Sequence, residues 1–78
     1  MKWQSYITSD EKILAGKPVI KGTRVSVELF MELLSKGWSI EDIRKSYPHL
    51  NDEQVLAVFA YLKDCMQTEL YFPKRETL

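Results

Sequence analysis

Gly16-Lys17-Pro18-Val19-Ile20-Lys21-Gly22-Thr23-Arg24-Val25 is the stretch whose reading decides the fold. Val19 and Ile20 are β-branched and apolar, which suits a short strand. Pro18 fixes φ and donates no hydrogen bond, so it belongs at the first residue of a strand or at an edge. Lys21-Gly22 supplies a turn, since glycine enters positive φ without steric cost. Thr23, Arg24 and Val25 return as a second extended run, which predicts a small β-hairpin. A two-stranded hairpin is barely stable alone in water and needs helices against it.

Those helices follow directly. Ser26 is a good N-cap, and Glu28 in the first turn suits the positive end of the helix dipole. Val27, Phe30, Leu33 and Leu34 fall on one face, widened by Leu29 and Met31, and Gly37 after Lys36 reads as the C-terminal stop. A second helix starts at Ser39, with Asp42 returning the cap and Trp38 and Ile43 at staple positions. Ile40, Ile43 and Tyr47 point inward, Arg44 and Lys45 outward, and Pro48 ends the helix at or before Tyr47. Asn51 and Gln54 form a capping-box pattern for a third helix, stapled by Leu50 and Val55. Its apolar stripe reads Val55, Val58, Phe59 and Leu62, with Leu56 beside it. Lys63, Asp64 and Gln67 mark where it runs out.

Working back from the hairpin, Trp3, Tyr6 and Ile7 alternate weakly with polar residues, as a strand does. Thr8 with Glu11 forms a capping-box pattern for one helical turn through Ile13 and Leu14, closed by Ala15-Gly16. At the other end, Leu70-Tyr71-Phe72, then Pro73 and Lys74-Arg75, shows no helical period. Residues 1–66 are expected to form a single domain of hairpin and helices. Residues 67–78 read as a tail that packs back or docks on a partner. The fold class is mainly α: a three-helix, homeodomain-like (helix-turn-helix) core with a short N-terminal β-hairpin.

Seventy-eight residues, with 11 Lys and Arg against 11 Asp and Glu, bound the function classes. One core of this size supplies only about 3–5 kcal/mol, so association commonly adds to it, and a homodimer is expected. The zero net charge lacks the basic footprint of a nucleic-acid binder at the level of composition. The single cysteine, Cys65, leaves no internal disulfide, which fits a reducing cytoplasm. There is no apolar leader and no run of membrane-spanning length, so a cytoplasmic protein without membrane contact is expected.

Tyr6-Ile7-Thr8, the stretch Gly16-Lys17-Pro18-Val19-Ile20-Lys21-Gly22-Thr23-Arg24-Val25, and Tyr47-Pro48-His49-Leu50 together carry a resemblance. Across residues 3–63 the chain resembles the domain-of-unknown-function family 433, which includes VapB-like antitoxins often encoded beside a PIN-like ribonuclease toxin. The resemblance implies an antitoxin-like protein that binds and neutralises such a toxin and represses its own operon by DNA binding. Two other readings stay open: a stand-alone helix-turn-helix DNA-binding regulator, and a structural dimerisation module.

The residues themselves show no catalytic signature. His49 stands alone in a turn, and no other His or Cys lies at ligand spacing. No nucleotide loop, nucleophile elbow or paired-acid motif is present. The chain is therefore read as a non-enzyme without cofactor or metal. Candidate phosphate contacts are Lys17, Lys21, Arg24, Arg44 and Lys45. Against groove reading by the third helix, its first turn carries Asp52 and Glu53, which repel phosphates and suit the helix dipole. Arg24 is expected to pair with Glu28 or with a carboxylate of another chain. The candidate toxin-binding segment is Leu70, Tyr71, Phe72, Lys74 and Arg75. Aromatics would anchor it while cations face an acidic cleft.

Overall fold

The computed structural model describes residues 1–67. It is mainly helical, with two short antiparallel strands near the N-terminus. The order is a 3-10 turn (Trp3–Ser5), β1 (Ile7–Thr8), a second 3-10 turn (Leu14–Gly16), β2 (Val19–Ile20), α1 (Val27–Ser35), α2 (Ile40–Ser46) and α3 (Asp52–Met66).

The hairpin exists, but its strands differ from the expected pair. β2 pairs with β1, Ile7 opposite Ile20 and Thr8 opposite Val19. The Thr23–Val25 side stays bonded to β2: the Ile20 N–H donates to Val25 and the Val27 N–H to Pro18, both at 2.9 Å, around one bridge, Val19 to Ser26. Residues 23–25 are nevertheless not a strand. The cause is the Thr23 hydroxyl. It donates to the Ile20 carbonyl at 2.7 Å and accepts the Val25 N–H at 3.0 Å. Those are backbone groups that a ladder would otherwise use, so a local turn wins over extension. Gly22 holds this turn at φ +80°, as its sequence position predicted.

The N-terminal segment also departs from expectation. The alternation around Trp3 does not become a long strand. Trp3 instead turns onto α3, where its ring meets Tyr61 edge-on at a centroid distance of 4.8 Å. Its indole N–H donates to Asp64 at 2.5 Å. The Thr8–Glu11 capping pattern is unused, because Thr8 is held in β1. Asp10 accepts the Lys12 N–H instead, and the chain turns through Leu14, Ala15 and Gly16 at φ 50°, 56° and 83°.

The three helices form where their caps place them. The Ser26 hydroxyl accepts the Leu29 N–H at 2.9 Å and starts α1. Gly37 at φ +95° ends it, with its N–H on Leu34 and that of Trp38 on Leu33; this is a Schellman motif. Ser39 with Asp42, and Asn51 with Gln54, both close complete capping boxes.

Phe30, Ile20, Ile43, Val19 and Val58 are fully buried. Ile7, Val25, Val27, Leu50, Val55 and Ala57 complete the core. Val55 and Val58 of the predicted α3 stripe are buried and Leu62 packs against the core, while Phe59 sits at its rim, 37% exposed and edge-on to the buried Phe30 at 6.0 Å. The buried face extends further to Ala57, with Trp3 and Tyr6 packed against the core from the N-terminal side, and Leu56 faces solvent. The α2–α3 corner is compatible with a helix-turn-helix unit. No helix of the described residues is long and apolar enough to cross a membrane.

Candidate functional site

Pro48 has no N–H and cannot continue α2. The chain therefore leaves the helix at Tyr47, whose N–H still bonds Ile43 at 2.8 Å, and the Leu50 N–H closes the corner on Tyr47 at 3.1 Å. This corner, residues 46–50, faces the Thr23 turn, residues 22–25. Leu29 of α1 lies between them, and the three segments line a cleft of about 470 Å³. Both segments belong to the stretches on which the family resemblance rests, and the fold brings them together across more than twenty residues of sequence.

The cleft has an apolar lining from Val25, Leu29 and Leu50, an aromatic ring from half-buried Tyr47, and three exposed polar side chains, Arg24, Ser46 and His49. Arg24 also lines a second, smaller groove with Ile13, Gly22 and Thr23, of about 310 Å³. It forms no ion pair with another described residue. An apolar pocket beside an uncommitted guanidinium suits a protein segment carrying a large apolar side chain next to a carboxylate.

The expected partner of Arg24 is taken by another residue. Glu28 binds Lys17 at 2.7 Å, on the exposed surface. That hydrogen bond and the charge behind it raise the Lys17 pKa above its ordinary value. Arg44, expected to be solvated, instead reaches Asp52 at 2.6 Å, and its side chain is 34% exposed. Two of the five candidate phosphate contacts are thus already neutralised within the fold. Lys45 is exposed on α2, where its charge helps hold the Asp42 carboxylate in its ionised form. Lys21 and Arg24 are exposed and unpaired among the described residues.

The acidic first turn of α3 does more than complement the helix dipole. Asp52 ties α3 to α2 through Arg44, and Glu53 accepts the Tyr6 hydroxyl at 2.5 Å. That bond holds the Tyr6 proton and raises its pKa. Reasoning from sequence missed these long-range contacts. The only signal for the cleft was that its two walls lie in stretches quoted for the resemblance. The candidate toxin-binding residues Leu70, Tyr71, Phe72, Lys74 and Arg75 lie outside the described residues. Among the described residues, no group of three or more His, Cys, Asp or Glu side chains is placed to hold a metal ion.

No solved structure matches the chain. Among curated proteins, it is 34% identical over 55 residues to "Uncharacterized protein y4eO" of Sinorhizobium fredii (strain NBRC 101917 / NGR234). The match covers 70% of this chain but 25% of that protein, so the chain spans a quarter of its relative's length. Residues 7–62 match the family described as "Protein of unknown function (DUF433)", and by that match the chain belongs to this family.

Proposed function

We propose that this chain is an antitoxin-like protein, which binds a PIN-like ribonuclease toxin in the cytoplasm and silences it without catalysis of its own. The observation that carries this reading is the cleft between residues 22–25 and 46–50. It joins the two stretches of the resemblance in one apolar pocket with Arg24 beside it, which is a surface suited to a protein partner. Neutralisation of Lys17 and Arg44 within the fold weighs in the same direction, since it removes charge that a DNA-binding body would offer to phosphates. Silencing would be by occlusion. Tyr71 and Phe72 would anchor the tail, and Lys74 and Arg75 would face the carboxylates of the toxin's cleft.

The test is co-expression with the neighbouring reading frame. The expected result is co-purification, loss of ribonuclease activity in the complex, and weaker association for Arg24→Glu with folding intact. A neighbour that encodes no nuclease, or a nuclease that remains active when mixed with the pure protein, would overturn the reading.

Operator binding is a second reading, favoured by the α2–α3 corner and by Lys21, Arg24 and Lys45, which stay out of ion pairs among the described residues. Titration of upstream DNA at two salt concentrations separates the two. A DNA-binding regulator loses affinity steeply with salt and needs no toxin.

A further inference from the structure

The outer face of α3 is apolar where a surface helix is normally polar. Leu56 is 57% exposed and Met66 52%; Phe59, 37% exposed, meets the buried Phe30 edge-on at a centroid distance of 6.0 Å and keeps the rest of its ring at the surface. Lys63 lies among them, exposed, with no ion pair to another described residue. At 100° per residue these four fall within one narrow stripe, spaced three, four and three residues apart, as in the seam of a helix pair. The stripe is also ordered symmetrically about residue 61. Leu56 and Met66 are equidistant from that point, and so are Phe59 and Lys63. A two-fold axis there sets each Leu56 against a Met66, and each Phe59 ring against a Lys63 ammonium. The first pairing is apolar, and the second places a cation on an aromatic face.

We propose that α3 packs antiparallel on α3 of a second copy, Leu56 on the partner's Met66 and Phe59 on the partner's Lys63. The occupant is a second copy because the pattern is complementary to itself. A parallel pairing would set the two Lys63 charges side by side, and an unrelated partner would not require the symmetry. The interface is small: α3 is about 22 Å long, and one helix face buries less than the ~800 Å² per partner of a standard stable interface. The dimer is therefore expected in the micromolar range. It does not depend on toxin binding, since the stripe lies apart from the cleft of residues 22–25 and 46–50.

The experiment is sedimentation equilibrium of the full chain and of two variants, Leu56→Lys and Met66→Glu. Both positions are solvent-exposed, and circular dichroism confirms that the variants fold. The native chain should dimerise as its concentration rises through the micromolar range. Each variant alone should remain monomeric there, with its apparent dissociation constant raised at least tenfold. Mixed in equal amounts, the two should form a heterodimer, because one end then pairs lysine with glutamate and the other keeps leucine on methionine. A native chain that is monomeric throughout would overturn the proposal, as would variants that dimerise unchanged. So would a mixture that fails to associate, because in a parallel pairing the two new charges never meet.

Discussion

The Arg44 guanidinium sits 2.6 Å from the Asp52 carboxylate and joins the last turn of α2 to the first turn of α3. The pair spans the corner at Pro48 and fixes the angle at which α3 leaves it. The Arg44 Nε is shielded from water without a hydrogen-bond partner among the described residues, so Asp52 is what compensates that charge. Asp52 itself is largely exposed, which limits the gain to about 0.2–1 kcal/mol. A double-mutant cycle of Arg44→Ala and Asp52→Ala should give a coupling in that range, shrinking at high salt. Each 1 kcal/mol corresponds to about 4–8 °C in melting temperature for a domain of this size. Additive effects of the two substitutions would show that the pair does not hold the corner.

The Asp42 carboxylate gives a pH-dependent contribution. It accepts the Ser39 N–H at 3.0 Å, and this bond, followed by the Ser39 side chain and the nearby Lys45 charge, lowers its pKa. A carboxylate whose pKa is lowered by folding stabilises the fold fully above its unfolded value of about 3.9, and that contribution is lost as pH falls through the lower folded value. The melting-temperature gap between the native chain and Asp42→Ala should therefore be constant near neutrality and narrow below about pH 4. A gap that persists undiminished to pH 2 would exclude this origin. Tyr6 and Lys17, whose pKa values are raised, act on the opposite limb. Their contributions are full below their unfolded values of about 10 and are lost as pH rises beyond them.

Leu14 and Ala15 occupy the left-handed region, at φ 50° and 56°. For an L-residue this costs roughly 1–2 kcal/mol. Both side chains are exposed, so replacement by glycine removes no core contact. Ala15→Gly relieves the strain but adds freedom to the unfolded chain, worth about 0.4–1 kcal/mol. The expected net is a gain of up to about 1 kcal/mol, read as a higher urea midpoint with unchanged slope. A lower midpoint would mean that the turn is not strained.

The caps at Ser26, Ser39 and Asn51 were legible because a cap is decided within four residues of sequence. All three helices began where those signals put them. Pairing of Ile7 with Ile20 was not legible, since nothing local ranks that partner above Thr23–Val25. β2 uses both edges: the Lys21 N–H bonds Tyr6 on one side and the Ile20 N–H bonds Val25 on the other, where the Thr23 hydroxyl takes the Ile20 carbonyl and keeps residues 23–25 from extending as a strand. The full buried face of α3 was hidden for a similar reason. Its pattern does not show that the buried face extends to Ala57 and leaves Phe59 at the rim beside Phe30, since that depends on Trp3 and Tyr6 arriving from the far end of the chain. Of the candidate site, the charged residues were legible as residues, but not their partners. Glu28 chose Lys17 over Arg24, and Asp52 chose Arg44.

The tail bears the most decisive test of the antitoxin reading. Leu70, Tyr71 and Phe72 are three adjacent large apolar side chains followed by Pro73. Burying one such side chain is worth about 1.5–3 kcal/mol, so removing them should be easy to measure wherever they are buried. Truncation after Gln67 separates two sites of burial. If Tyr71 and Phe72 anchor on the toxin, the shortened protein should melt as the full chain does but lose most of its toxin binding and inhibition. If they pack on the chain's own helices or across a dimer, the melting temperature should fall without any toxin present. Substituting only Lys74 and Arg75 by glutamate then isolates the electrostatic part. Docking at an acidic cleft predicts slower association and a reversed salt dependence, whereas self-packing predicts little change. A truncated protein that melts normally and still silences the ribonuclease would remove the tail from the mechanism and leave the Arg24 cleft as the surface to test.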